Sequence, residues 1–73
     1  MILLSELKIG ELGIIKKIDS HLHRLLVMGL IPGAEIKLIR KAPIGDPLEF
    51  EIKNYSLSLR KEECQKIEVQ LHE

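Results

Sequence analysis

Three stretches of strict two-residue alternation restrict what this chain can fold into. In the first, Leu48, Phe50 and Ile52 alternate with Glu49, Glu51 and Lys53. In the second, Leu57 and Leu59 alternate with Ser56, Ser58 and Arg60. In the third, Ile67, Val69 and Leu71 alternate with Glu68, Gln70 and His72. Only a β-strand sends successive side chains to opposite faces. Apolar residues on one face and polar ones on the other predict antiparallel sheet with one side on a core and one in water. Two further strands are predicted upstream. Gly13 to Asp19 carries β-branched Ile14, Ile15 and Ile18, and Glu35 to Lys41 places Ile36 and Leu38 on one face.

Five short strands in 73 residues imply a closed or nearly closed barrel, because an open sheet would leave long unpaired edges. The expected fold class is all-β, a small SH3-like barrel forming a single domain over residues 1–73. A chain this short has a thin core, so nearly every apolar residue must be used. The sequence is 45% hydrophobic but has only Phe50 and Tyr55 as aromatics, so Leu, Ile and Val must fill that core. Leu38, Phe50, Ile52, Leu57, Leu59, Ile67 and Val69 are expected inside.

The connections carry their own signals. Ser5-Glu6-Leu7-Lys8 reads as a helical turn stopped by Gly10. After the first strand, Ser20 reads as an N-cap, with Leu22, Leu25 and Leu26 on one face of a short helix ending at Met28. Gly29 stands where a left-handed C-cap residue is needed, and Leu30 can pack back on the last turn. Ile31-Pro32-Gly33-Ala34 has the residues of a type II turn. Ala42 to Pro47 is a loop, since two prolines cannot donate to a ladder. Asn54-Tyr55 reads as a tight hairpin connection, and Arg60 to Gln65 as a helical turn before the last strand.

Several function classes are disfavoured. The formal net charge is +0, whereas phosphate-backbone binding needs clustered Lys and Arg. The basic pairs Lys16-Lys17, Arg40-Lys41 and Arg60-Lys61 read as solvated strand ends balanced by neighbouring Glu. No nucleic-acid partner is expected. Cys64 is the only cysteine, so no internal disulfide can form, which favours a reducing cytoplasm. The opening Met1-Ile2-Leu3-Leu4-Ser5-Glu6 has no basic segment and does not read as a signal peptide. The longest uncharged stretch, Leu25 to Ala34, is too short to span a bilayer, so no direct membrane insertion is expected.

Four segments then bear on family. Arg24-Leu25-Leu26-Val27-Met28-Gly29-Leu30-Ile31-Pro32-Gly33 resembles an R-L-x-x-M-G-L-x-P-G motif. Ala42 to Pro47 resembles A-P-x-G-D-P, and Ser58 to Glu63 resembles an L-S-L-R-x-x-E segment. Leu4 to Glu11 is similar to the usual start of the same family. Together, in this order, they resemble the ferrous iron transport A (FeoA) family. The resemblance implies an SH3-like fold and a cytosolic accessory role in bacterial ferrous iron uptake. It implies as partner FeoB, a membrane permease with a cytosolic GTP-binding domain. It also leaves room for a regulatory domain acting on a metal-dependent transcription factor, since some such repressors carry similar SH3-like units, or for a GTPase-stimulating factor. At Cys64 the chain departs from the family's more usual Ala; as a small buried hydrophobe, cysteine changes little.

No enzyme is expected, and no cofactor. His21 and His23 are two apart on a helix and do not share a face. With His72 and Cys64 they make no local ligand set, so no metal site is expected. The Gly45-Asp46 loop lacks the Lys-Ser/Thr of a phosphate cradle. The candidate partner-binding residues are Val27, Met28, Leu30 and Pro32 at the helix exit and Pro43, Ile44 and Asp46 in the proline loop. The uncharged run Leu25 to Ile31 cannot all face inward on one helix, and exposed apolar patches on small domains mark contact sites. A weak homo-oligomer is left open.

Overall fold

The computed structural model describes residues 1–19 and 29–72, so the helix expected over Ser20 to Met28 lies outside the described residues. Among the described residues six strands make one antiparallel sheet: β1 (Ile2–Leu3), β2 (Leu12–Ile18), β3 (Glu35–Lys41), β4 (Leu48–Ile52), β5 (Tyr55–Leu59) and β6 (Ile67–Leu71). Their spatial order is β1-β6-β2-β3-β4-β5. A 3-10 turn, Leu4–Glu6, follows β1, and a single-turn helix α1, Lys61–Cys64, precedes β6.

The alternation in the sequence becomes the inside and outside of this sheet. Opposite one another stand Leu38 and Phe50 across β3–β4, and Phe50 and Leu57 across β4–β5. The core is Leu4, Leu7, Ile15, Leu30, Ile36, Leu38, Leu48, Phe50, Ile52, Leu57, Leu59, Cys64, Ile67 and Val69. All seven residues expected inside are among them. No polar or charged described residue is buried, so the core's hydrogen bonding is left to its backbone.

Two irregularities bend the sheet around that core. The register shifts between Ile15 and Lys17 where β2 meets β6, and between Leu38 and Arg40 where β3 meets β4. An extra residue on one strand raises the local twist and bends the chain, which is how a small sheet turns a corner. β1 and β5 end the strand order without pairing to each other, so the barrel is of the nearly closed kind.

Differences from the sequence expectations are local. β1 was not expected; two residues have no period to read, and the strand exists because Ile2 and Leu3 lie opposite Val69 and Glu68. The first helical turn covers Leu4–Glu6, where Ser5 to Lys8 was expected. The hairpin turn is Lys53-Asn54, one residue earlier than expected, because Tyr55 joins the strand opposite Ile52. Lys53 accordingly takes a positive φ of 51°. Leu71 is 40% exposed although its alternation points inward, since β6 outruns the core there.

Phe50→Ala removes the largest core side chain and should cost about 3–5 kcal/mol. A urea titration checks this: the midpoint should fall sharply, and an unchanged midpoint would show that the β3–β4–β5 register is wrong.

Candidate partner-binding surface

The candidate residues divide between the two ends of β3. The turn at Ile31 to Ala34 leads into the start of β3, and the loop from Ala42 to Pro47 leaves its end. A seven-residue strand is about 20 Å long, so the two segments stand at opposite ends of β3 rather than side by side.

At the first end, the Ala34 N–H donates to Ile31 O at 3.0 Å, and Gly33 has a φ of 96°. This is the expected type II turn, which needs a residue free to take positive φ at its third position. Gly33 N–H also donates to Ile15 O at 2.7 Å, which fixes the turn to β2. Just upstream, the Ile31 N–H donates to Gly29 O at 3.0 Å and folds the chain tightly about Leu30. Gly29 has a φ of 88°, and a Cβ there would stand 2.8 Å from the Tyr55 hydroxyl. The conformation calls for glycine, and a Cβ would also displace the Tyr55 hydroxyl.

Leu30 requires a correction. It was expected on the contact surface, but it is 0% exposed and belongs to the core. It anchors the turn from beneath, while Ile31 (49% exposed) and Pro32 face outward. Val27 and Met28 lie outside the described residues. Sequence reasoning missed the other half of this end. A shallow hollow of about 660 Å³ is lined by Ile14, Ile31, Pro32, Ala34, Ile52 and Tyr55, with Glu35 and Lys53 also on its lining. The β4–β5 hairpin brings Ile52 and Tyr55 to the turn, and no local motif signals that long-range meeting.

At the second end, the loop is tied down three ways. Gly45 N–H donates to Ala42 O at 2.7 Å, and Ala42 N–H donates to Pro47 O at 3.0 Å. Asp46 Oδ1 accepts the Lys61 N–H at 2.8 Å. Asp46 therefore satisfies one of the free donors at the start of α1, where no side chain of the preceding residue does so. Glu63 Oε1 accepts the Arg60 N–H at 3.0 Å and completes that cap. Pro43 and Ile44 are exposed at the tip, with Ile44 90% exposed.

Charge and metal chemistry are sparse. Arg40 and Glu49 form an ion pair across β3–β4, with Arg40 Nε 2.9 Å from Glu49 Oε1. The pair is solvated and worth at most about 1 kcal/mol. It pairs Arg40, but not Lys41, with a Glu across the strands. Among the described residues no three His, Cys, Asp or Glu side chains converge to hold a metal ion. His72 is exposed and Cys64 buried, while His21 and His23 lie outside the described residues. Among the described residues no helix is long and apolar enough to cross a membrane.

Burial, and secondarily the Asp46 carboxylate, push the Cys64 thiol up to about 12 from an ordinary 9.0, against a smaller opposing backbone hydrogen bond. The folded state thus holds a proton that the unfolded chain gives up above pH 9. Stability from this group is present below that pH and falls as pH rises toward 12. Urea midpoints measured from pH 8 to 11 should fall more steeply for the native chain than for Cys64→Ala; equal slopes would show an unburied thiol. Asp46→Ala should cost about 0.5–2 kcal/mol through the lost cap. It should also speed amide exchange at Lys61; unchanged exchange there would remove Asp46 from the cap.

Comparison with known proteins agrees with this geometry. The FeoA domain family matches residues 2–71. A fused Fe(2+) transport protein A/Fe(2+) transporter FeoB protein of Porphyromonas gingivalis is 38% identical over 71 residues, 93% of this chain. The match spans only 8% of that relative's length. The solution structure of FeoA protein from Chlorobium tepidum is 34% identical, with a TM-score of 0.89 over 96% of this chain and 70% of that one. A FeoA-like protein from Clostridium acetobutylicum is 37% identical, with a TM-score of 0.88 over 96% of this chain and 85% of that one. With the barrel, its motifs and these likenesses in place, the chain belongs to the FeoA family.

Proposed function

We propose that this chain is an accessory protein of bacterial ferrous iron uptake that docks on the cytosolic side of a FeoB-type permease and modulates it. The observation that carries the reading is the fused relative, in which a segment similar to this chain shares one polypeptide with a transporter. Linkage in one chain holds two parts at an effective concentration of about millimolar, so modest contacts suffice there.

The hollow beside the Ile31–Ala34 turn is the better of the two ends for that purpose. It is concave, mostly apolar, and has a tyrosine on its rim, features of a pocket that receives a partner's apolar anchor. Ile44 is a single exposed side chain on a rigid convex loop, and single exposed apolar residues are common on any surface. Its loop adds a second, smaller contact whose rigidity limits the entropy lost on docking.

Ile31→Asp should weaken binding to the isolated cytosolic domain of the permease by about 1–3 kcal/mol, because a charge enters a desolvated contact. Ile44→Asp should weaken it less, and Lys16→Glu, on β2, should change little. Calorimetric titration of the three variants, each first shown to melt like the native chain, checks this. Full binding by a folded Ile31→Asp variant would remove the hollow from the interface, and loss confined to Ile44→Asp would move the interface to the proline loop.

A further inference from the structure

The sequence treats the two edges of the sheet differently. β1 is only two residues long, and shortness guards an edge against pairing. β5 lacks the guards that its own sequence and register could supply. Tyr55-Ser56-Leu57-Ser58-Leu59 contains no charge and no proline, and its register with β4 runs through all five pairs without a bulge.

The hairpin fixes which backbone groups look outward. Ile52 and Tyr55 flank a two-residue turn, so they are the pair that exchanges both N–H···O bonds. Alternation then aims the N–H and C=O of Tyr55, Leu57 and Leu59 at β4 and those of Ser56 and Ser58 away from it. No described strand lies on that outer side, and neither serine has a backbone hydrogen bond to a described residue beyond the strand ladder. Both serines are exposed. Two outward donor–acceptor pairs at strand spacing, otherwise left to water, match the groups of another extended strand.

We propose that this strand is β5 of a second copy, paired antiparallel about a two-fold axis at Leu57. In that register each Ser56 lies opposite the partner subunit's Ser58, and the two such pairs exchange four N–H···O bonds. Small hydroxyl side chains then meet on the wet face, and Leu57 meets its own counterpart on the core side. Tyr55, 43% exposed in the single chain, comes opposite the partner subunit's Leu59 and loses part of that exposure. β5 is its own complement: it carries no charge to repel its copy, and a two-fold pairing closes at two chains.

Sedimentation velocity over a concentration series, with amide exchange followed by NMR at the low and high ends, tests the proposal on the intact chain. Self-association should appear by about 1 mM. The Ser56 and Ser58 amides should exchange more slowly at high concentration, while those of Tyr55, Leu57 and Leu59 are protected throughout. Ser58→Pro removes an outward N–H that the β4 ladder does not use, and should weaken association by roughly tenfold or more. If its circular dichroism departs from that of the native chain, the double change Ser56→Lys with Ser58→Lys replaces it, since charges on an edge oppose pairing. A native chain still monomeric at about 1 mM overturns the proposal. So does undiminished association of a folded edge variant, or Ser56 and Ser58 protection independent of concentration.

Discussion

The register of β4 between β3 and β5 is the constraint on which the rest of the structure depends. Phe50 is the one aromatic side chain of the core, fully buried, with Leu38 opposite it on one side and Leu57 on the other. A slip of one residue would turn Glu49 and Glu51 inward and Phe50 outward. A core with no buried polar partner could not accommodate those carboxylates. Correct register in turn sets both ends of the molecule. The Lys53-Asn54 turn lies beyond Ile52 and the proline loop before Leu48, so the apolar hollow and the Ile44 tip are placed at opposite ends of one strand pair.

Short elements at the surface are completed by carboxylates. Glu6 Oε1 accepts the Leu3 N–H at 2.7 Å, Glu11 Oε1 the Lys8 N–H at 2.7 Å, and Glu63 Oε1 the Arg60 N–H. In each case the Glu stands three residues after the donor, the spacing at which a side chain can fold back over a single turn. Asp46 does the same for Lys61 across fifteen residues, and so joins the proline loop to α1. These bonds tie the short described turns and the proline loop to their neighbours.

What the sequence revealed followed the reach of its signals. Alternation over five residues placed β4, β5 and β6, and Pro32-Gly33 announced its turn, because each of these depends on neighbours along the chain. Ile2–Leu3 was not legible, since a two-residue strand exists only through its partner Val69. Lys53 took a positive φ that Asn54 was better suited to, because pairing Tyr55 with Ile52 outweighed local preference. The candidate site was legible in part. Pro32, Pro43 and Ile44 are exposed as expected, but Leu30 is core, and Ile52 and Tyr55 join the hollow only through the folded hairpin.

Membership of the FeoA family, a fused relative and an apolar hollow beside a glycine-dependent turn together favour a binding module whose contact lies at the hairpin end of the barrel. The most direct measurement is an amide-shift titration of the isotope-labelled chain with the cytosolic domain of a FeoB-type permease, the proposed partner. The account predicts shifts concentrated at Gly29, Ile31, Gly33, Ile52 and Tyr55, with weaker ones at Ile44. Shifts confined to residues outside the hollow and the proline loop, or none at saturating permease domain, would contradict it.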